Sequence, residues 1–444
     1  MNLNPLFPAE AGTQVFYPGR GGFGKSLGPR MRGGERRKDA VMADDAMAAE
    51  AQGYLTPERV MMRDVARAFV RDEVLPAANR LDPIKGDIPR ELIDKMGELG
   101  FFAILIPEEY GGLGLGAFEY CLVAEELARG WMSVASIIAR GNSFYRSIPG
   151  EGDERRRKIE LMAKGQYLGA AALSEPGTGS DLSGVQCRAR REGDEWVLNG
   201  SKYWCTFADG ADYISVLCRI DDPSAPSGRA GTTSVSVEKP KGELPKGCTG
   251  SPIPKIGYFG WRTWELHFDN VRAPVRVSET GNPEAGRAVQ GVAFGLGLAR
   301  AHTAARSIGL ARGALEDAIA YAKERVQFGQ PISDFQAIRF KIATMATEVE
   351  AARQLMYYVC SEIDAGRAGR VETSMVKLFA SEMAERVTSE ALQIFGGAGY
   401  TTLHPIERYW RDARLTKIFE GTSEIQQRII ADALLGKPTI RGSN

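Results

Sequence analysis

Residues 418–426 read IFEGTSEIQ, which joins an apolar pair, an acidic residue, a glycine and a helix start. Ser423 and Gln426 form the S-x-x-Q pattern of a capping box, so we expect a helix to begin there. Glu420 then lies just before that helix. A carboxylate in an apolar pocket can act as a base, and the glycine after it lets a ligand approach the backbone. The alternative is an acidic residue that only compensates the helix dipole.

The composition excludes several classes of protein. Of 444 residues, 43% are apolar and 25% are charged, as in an ordinary soluble protein with a sizeable core. Lys plus Arg and Asp plus Glu number 56 each, so no charge excess favours nucleic acid or an anionic membrane. The six cysteines form no CxxC pair, the three histidines have no metal-ligand spacing, and no apolar run is long enough to span a membrane. We expect a cytoplasmic protein without a metal, or a mitochondrial-matrix protein if the source is a eukaryote.

The apolar periodicity changes twice along the chain and predicts three domains after a tail. Residues 1–52 are rich in Gly, Pro and Arg, which predicts disorder. Residues 53–165 have helical spacing from a cap at Thr56 and predict an N-terminal all-α domain. Residues 166–285 consist of short β-like runs, and residues 286–444 return to long helices that predict a bundle.

Two patterns give detail within these domains. In EWVLNGSKYWCTF, residues 195–207, the Asn199-Gly200 pair predicts a type I′ hairpin turn in a small antiparallel barrel or sandwich. In the second helical region, apolar residues at three- and four-residue spacings predict one buried stripe, formed by Ile308, Ala311, Leu315, Ile319, Ala322 and Val326.

Two stretches of the β region are candidates for holding a flat ring or a phosphate. ALSEPGTGSD, residues 172–181, places a Pro-Gly turn after a strand, with hydroxyl and backbone donors close together. In YWCTF, residues 203–207, Trp204 and Thr206 share one face of a strand. The alternatives are a plain polar turn and a core tryptophan.

A third stretch, ERVQFGQPISDFQ at residues 324–336, lies at the predicted end of the long helix. Arg325 could clamp a phosphate through two N–H groups. The alternative is a solvated arginine that the helix dipole favours.

SEPGTGSD, RVQFGQPISDFQ, QIFGGAGY and FEGTSEIQ occur in the order and spacing of the acyl-CoA dehydrogenase family, which the chain resembles from about Leu55 to its C-terminus. The resemblance implies an α+β fold, with an N-terminal helical domain, a middle antiparallel β-barrel or sandwich domain and a C-terminal four-helix bundle. It also implies FAD and a homotetramer or homodimer.

The resemblance also implies site residues. Glu420 matches the catalytic base, and Ser180, Arg300 and Gly421 match substrate-facing positions. Ser174 would hydrogen-bond near the reactive nitrogen of the flavin. The segment at 325–336 and the turn at 393–397 would reach the FAD of a neighbouring subunit. The cofactor positions are Ala171, Leu173, Ser174, Gly179, Ser180, Trp204, Thr206, Arg325, Gln327, Phe328, Phe335, Gln336, Gln393, Gly396, Gly397, Thr422 and Glu424.

The implied activity is α,β-dehydrogenation of an acyl-CoA thioester to a trans-2-enoyl-CoA. Electrons would pass to an electron-transfer flavoprotein, or to oxygen in an oxidase. The chain departs from many members at Gly297, where they carry an acidic residue. One subgroup of the family carries its base just before the arginine that matches Arg300; this chain has Ala299 there, which leaves Glu420 as the only base. RGWMSVASIIARGN, residues 129–142, includes Arg140 and is followed by Phe144, which favours a short, branched or dicarboxylic acyl group.

Residues 19–26 read GRGGFGKS and fit the phosphate-binding P-loop pattern. The pattern needs a helix after it, and Pro29 with the glycines beyond it excludes one. We therefore interpret it as a chance match in a Gly-rich basic tail. A P-loop ATPase, a flavin-dependent monooxygenase on the same fold and a non-catalytic family member are the alternatives. Glu420 argues against the monooxygenase, which has no use for a base.

Overall fold

A computed structural model of the chain describes residues 53–275 and 288–438, with side chains from residue 296 onward in the second range. The disordered tail predicted at 1–52, with the P-loop pattern in it, lies outside the described residues. The predicted domain boundary at 285–286 lies outside them as well.

The described chain begins with helices. Thr56 caps the first helix, as predicted, because its Oγ1 accepts the Arg59 N–H over 3.4 Å. A π-helical turn, Val70–Val74, follows this helix without a break. The helices are α1 Pro57–Phe69, α2 Leu75–Leu81, α3 Arg90–Glu98, α4 Ala117–Gly130, α5 Met132–Ile137, α6 Ala139–Asn142 and α7 Gly152–Ala163.

A seven-stranded sheet follows. Its order is β1-β4-β2-β3-β7-β6, with β5 paired to β4. Most pairings are antiparallel, as predicted, but β4 pairs in parallel with β1 and β2, which the sequence did not predict. The strands are β1 Gly169–Ala172, β2 Arg188–Glu192, β3 Glu195–Thr206, β4 Tyr213–Ile220, β5 Thr232–Glu238, β6 Cys248–Pro252 and β7 Thr263–Pro274.

The hairpin turn predicted at Asn199-Gly200 is wrong, since β3 runs through both residues without a turn. The register shifts beside Gly200, and a Cβ there would lie 2.7 Å from the Cys187 Cα, so the glycine permits close approach of β2. The β2–β3 turn lies instead at Gly193 and the residue after it.

Long helices return in the second described range. They are α8 Ala288–Glu324, α9 Gln336–Asp364, α10 Arg370–Phe395, α11 Ile406–Thr416 and α12 Ser423–Leu435; the short strands β8 Val326–Gln327 and β9 Gln330–Pro331 join α8 to α9. Helix α8 packs against α4, α9, α10 and α11. The predicted stripe on it is buried, except that Ile319 is half-buried and Val326 is 53% exposed in β8, beyond the helix end.

Buried ion pairs tie the two helical regions together. Arg312 of α8 donates to Glu126 of α4 over 2.6 Å, and Arg353 of α9 donates to Glu125 over 3.1 Å. Because both carboxylates lie on α4, they fix the position of this N-terminal helix against the C-terminal helices.

Candidate active site

A cleft of about 2760 Å³ lies between the sheet, the N-terminal helices and the C-terminal helices. A site for one drug-sized ligand measures roughly 300–1,000 Å³, so this cleft has room for two large ligands. Basic side chains outnumber acidic ones along its walls, which suits phosphate-bearing ligands. The basic residues are Arg140, Arg146, Arg155, Arg156, Lys255, Arg300, Arg306, Arg370, Arg411 and Arg414; the acidic residues are Glu151, Asp153, Asp364 and Glu420.

The turn after β1 is held by a buried ion pair. The Glu175 carboxylate accepts from Lys202 Nζ over 2.7 Å and from the Cys187 N–H over 2.9 Å. Lys202 is fully buried and also donates to the Leu173 carbonyl over 3.0 Å. The motifs of the sequence did not reveal this pair; the signal available was a lysine within a β-like run. The pair fixes the backbone that carries Ser174, Gly179 and Ser180 into the cleft.

The two stretches predicted to hold a flat ring lie side by side. The Tyr203 N–H donates to the Ser174 carbonyl over 2.8 Å and joins β3 to the turn. Trp204 has φ of 65° and is 57% exposed, because the β3–β7 register shifts beside it. Seven of the predicted cofactor residues line the cleft here: Ala171, Leu173, Ser174, Gly179, Ser180, Trp204 and Thr206.

Glu420 lines the cleft in an unusual backbone conformation. Its φ is 54° and that of Gly421 is 94°, a region that costs a non-glycine residue about 1–3 kcal/mol and is found at functional sites. Its Oε2 accepts from the Thr303 hydroxyl and, over 2.9 Å, from Arg306 Nη2. Within the described part of the chain, Oε1 and the Glu420 backbone N–H have no hydrogen-bond partner. Two polar groups of one residue are therefore available to a ligand.

The helix after Glu420 begins at Ser423, as predicted, but its cap is different. Thr422 is the capping residue, since its Oγ1 accepts the Ile425 N–H over 3.3 Å. Gln426 Nε2 donates to the Gly421 carbonyl over 2.8 Å, and Ser423 Oγ donates to Glu382 over 2.6 Å. The capping box predicted from Ser423 is thus wrong by one position.

Arg306, which the sequence analysis did not single out, is the partner of Glu420. It is 2% exposed and donates to Ser136 Oγ over 2.8 Å and to Thr303 Oγ1 over 2.9 Å. Its guanidinium lies 4.7 Å from the centre of the Phe419 ring. Burial lowers the pKa of Arg306, but Glu420, Tyr258 and Tyr120 together outweigh burial, so the pKa is raised.

Two further cations, Arg300 of the cleft and Lys377, have buried nitrogen atoms without partners among the described residues. Arg300 is 4% exposed, and its Nε and Nη1 have no hydrogen-bond partner among the described residues. Lys377 of α10 is fully buried, and its Nζ is equally unpaired there. Burial lowers the pKa of Arg300 to about 10 and that of Lys377 to about 8, although the Glu420 charge favours the protonated lysine.

The remaining predicted site residues divide into two groups. Arg300, Gly421 and Thr422 line the cleft with Glu420, whereas Glu424 is exposed on α12 outside it. The others do not line the cleft: Arg325, Gln327, Phe328, Phe335, Gln336, Gln393, Gly396 and Gly397. They share one end of the bundle, because the Tyr321 ring, one turn before Arg325, stacks on Phe395 with centroids 4.2 Å apart.

FAD fits the residues present. The half-exposed Trp204 indole and the hydroxyls beside it offer a surface for a flat ring, and the cleft has basic walls for a pyrophosphate.

Among the described residues no His/Cys/Asp/Glu cluster could hold a metal ion. Within the same ranges, the helices are all too short or too polar to cross a membrane.

The chain matches three family descriptions in succession: the acyl-CoA dehydrogenase N-terminal domain at 56–165, the middle domain at 170–271 and the C-terminal domain at 288–435. A Bacillus subtilis protein described as acyl-CoA dehydrogenase is 38% identical over 387 residues, which cover 86% of this chain and 99% of the relative. The mitochondrial short-chain specific acyl-CoA dehydrogenase of Rattus norvegicus is 37% identical over 84% of this chain and 89% of its own length.

A solved structure of butyryl-CoA dehydrogenase from Megasphaera elsdenii superposes with a TM-score of 0.78 at 34% identity, over 86% of this chain and 99% of that one. Fold and cleft together define an FAD-dependent oxidoreductase. The chain belongs to the acyl-CoA dehydrogenase family. The predicted fold class and FAD dependence are confirmed.

Proposed function

We propose that this chain removes the α- and β-hydrogens of a short acyl-CoA thioester, with Glu420 as the base. The observation that carries the proposal is the Glu420 carboxylate in the cleft, held through Oε2 and open at Oε1. A base needs one free acceptor atom in a fixed position, and Oε1 meets that requirement.

The chain's own residues would divide the work as follows. Glu420 Oε1 takes the α-proton, while Thr303 and Arg306 keep the carboxylate in one orientation. The Glu420 N–H, which has no partner in the described chain, donates to the thioester carbonyl and stabilises negative charge on its oxygen. FAD supplies the acceptor for the β-hydrogen and its electron pair. The carbon–carbon double bond forms as both hydrogens leave.

We assign the cofactor-holding role to two surfaces. The flavin and its chain would be held by residues 171–180, Trp204, Thr206 and Thr422. Ser174 would donate a hydrogen bond to the ring, and Glu424 would contact the flavin of its own subunit. The second surface, at 325–336 and 393–397, would bind the FAD of a neighbouring subunit. Its support is the 96% exposure of Phe328, whose ring lies 6.1 Å from that of Phe335. An apolar patch that exposes Phe328 beside the half-buried Phe335 is typical of an interface. A homotetramer, or a homodimer, follows from this assignment.

Electron-transfer flavoprotein is the electron acceptor we propose, as the family resemblance implies.

The location we propose is the cytoplasm. All six cysteines are buried and unpaired, which suits a reducing compartment. The three domains are proposed with boundaries at 53–165, 166–285 and 286–444.

The test is a visible spectrum of the purified protein, before and after anaerobic addition of short-chain acyl-CoA thioesters. A flavin spectrum that bleaches with one thioester supports the proposed function. Glu420→Gln should retain the flavin and lose about 10²–10⁴-fold in the bleaching rate, because the base is gone. Glu98→Gln is the matched control, since Glu98 is an exposed carboxylate on α3. A flavin that no thioester bleaches, or an active Glu420→Gln protein, contradicts the proposal.

A further inference from the structure

Arg140 of α6 is a half-buried cation of the cleft, and no carboxylate of the described chain binds it. Its Nε is buried with no hydrogen-bond partner, and the residue forms no ion pair with the described part of the chain. Its guanidinium instead lies 5.4 Å from the ring centre of Phe144 and 5.5 Å from that of Trp261. Aromatic faces stabilise a cation by only about 0.5–2 kcal/mol, whereas taking a charge out of water costs several. Burial accordingly lowers the pKa of Arg140.

Two other arginines of this chain have carboxylate partners within it. Arg312 and Arg353 are more deeply buried, at 4% and 8% exposed, and each donates to a carboxylate of α4. Those two arginines lie in the helical core, whereas Arg140 lines the cleft. A cation that faces a cleft with a buried, unpartnered N–H donor can bind an anion supplied by a ligand.

The charges around Arg140 place it at the reacting end of the cleft. The groups that act on its charge are Tyr258, Cys205, Glu420 and Arg306. Glu420 is the only carboxylate among them, and its Oε2 is already bound by Arg306. Arg140 and Arg306 are therefore both acted on by the charge of the same carboxylate. A negative charge on the acyl group would offset part of the positive charge in this part of the cleft.

The phosphates of coenzyme A are the other anions that could pair with Arg140. Arg146 and Arg156 also line the cleft and are exposed, so they suit a hydrated phosphate better. Arg140 lies beside Tyr258 and Trp261 instead, among groups buried with Arg306 and Glu420. Trp131, from the same stretch of sequence, is 1% exposed and does not line the cleft.

We propose that Arg140 binds a carboxylate at the end of the acyl group remote from the thioester, so that the substrate is a short dicarboxylic acid mono-thioester. The proposal rests on the proposed dehydrogenation and narrows its substrate. Arg140 acts by binding and by selecting among thioesters; it has no part in proton transfer. A neutral acyl chain of the same length would leave the half-buried guanidinium, with its buried Nε, unpaired, which disfavours that chain.

The experiment compares matched thioesters on the flavin-loaded protein. The pairs are glutaryl-CoA with pentanoyl-CoA and adipyl-CoA with hexanoyl-CoA, at fixed ionic strength. We expect kcat/KM of wild type to favour the carboxylate member of at least one pair by about 10- to 100-fold, the range of a charge-assisted hydrogen bond of about 1.5–3 kcal/mol. In Arg140→Met, which keeps the length and removes the charge, that preference should disappear or reverse. Arg140→Lys should keep part of it.

The outcomes separate the inference from the proposed function. Bleaching by neither member of either pair contradicts the dehydrogenation itself. Bleaching by the neutral members, with no preference for a carboxylate, leaves the dehydrogenation in place and overturns the role of Arg140. Equal losses for both members in Arg140→Met also overturn it. If Arg140→Met fails to hold flavin, the wild-type preference and the Arg140→Lys variant decide. Equal losses of kcat/KM for the two members of a pair in Arg140→Lys would overturn the proposal, because the preference would then not depend on Arg140.

Discussion

Arg306 Nη2 and Glu420 Oε2 lie 2.9 Å apart, so a fully buried cation is bound to one oxygen of the proposed base and leaves the other oxygen open. The pair joins α8 to the turn before α12, two elements more than a hundred residues apart in sequence. Since the Glu420 backbone has positive φ, this ion pair and the Thr303 hydrogen bond help to hold a conformation that the residue would otherwise avoid.

Thr303→Val should slow the reaction without unfolding the protein. The Thr303 hydroxyl carries one proton and lies between two acceptors, Glu420 Oε2 and the Ala299 carbonyl, and it also accepts from Arg306. Removing it takes away one restraint on the base, worth about 0.5–1.5 kcal/mol, so we expect kcat to fall roughly 2- to 12-fold. Stopped-flow bleaching of the flavin measures this. Thr303→Ser, which keeps the hydroxyl, should stay near wild type; a Val variant as fast as wild type would show that the bond is not used.

Lys202→Met should destabilise the β domain and weaken flavin retention. The change leaves Glu175 buried with only its backbone donors and removes the bond to the Leu173 carbonyl. Breaking a buried pair from one side costs about 3–5 kcal/mol. Urea unfolding and the flavin content of the purified protein measure the two effects. Arg188→Gln breaks an exposed pair with Asp221 in the same sheet and should cost at most about 1 kcal/mol. Equal losses in the two variants would contradict the structural role of Lys202.

The order of helices, sheet and helices could be predicted from the sequence because it depends on apolar periodicity and caps, which are local. The Thr56 cap and the buried stripe on α8 are examples. The errors at Asn199-Gly200 and at Ser423 have a common cause. Each residue pattern fits two local structures, and contacts from outside the stretch select one. At Gly200 the selecting contact is the close approach of β2, which no local pattern reveals.

Glu420 could be singled out as a candidate base from its own neighbours in sequence. Arg306 and Lys202 could not, because their partners are distant along the chain, and Lys377 could not, because its burial is set by packing. A lone basic residue in a helix or strand is in most proteins exposed, so its type alone gives no warning. The cleft also separates the two sets of cofactor residues that the resemblance implies: Trp204 lines it and Phe328 does not.

Asp412 should make wild-type stability fall as the pH rises from about 4 to 7. It is buried on α11, accepts the Tyr258 N–H over 2.6 Å, and lies near Asp82, Arg411 and Arg408. Burial, with the Asp82 charge, raises its pKa from 3.8 to about 7. Between these values the unfolded chain has lost a proton that the folded chain keeps, so stability declines with pH and then levels off.

Asp412→Asn removes this titration and keeps an acceptor for the Tyr258 N–H. The Tm of the variant minus that of wild type should therefore grow more favourable from pH 4 to pH 7 and stay constant above it. Differential scanning fluorimetry across this range measures the difference. A difference that is flat, or that moves the other way, would contradict the raised pKa.

Gly309→Ala should destabilise the protein although alanine favours helices. Gly309 lies on α8 where that helix meets α4, and a Cβ there would be 2.2 Å from the Glu125 carbonyl oxygen and 2.8 Å from the Ala128 Cβ. Backbone must move to admit it, which costs about 1–3 kcal/mol. Because Glu125 also binds Arg353, the movement would disturb the ion pair that ties α4 to α9.

Gly297→Ala, on the same helix, is the matched control. A Cβ there meets nothing nearer than the Thr373 Cγ2 at 3.8 Å, an ordinary contact. The alanine should therefore stabilise by about 0.5–1 kcal/mol, since glycine loses more backbone entropy when the helix forms. Urea unfolding of both variants compares the two signs directly. If Gly309→Ala lowers the free energy of unfolding and Gly297→Ala raises it, the α8–α4 contact needs a glycine for close approach. If both substitutions raise it, helix propensity alone decides at both positions.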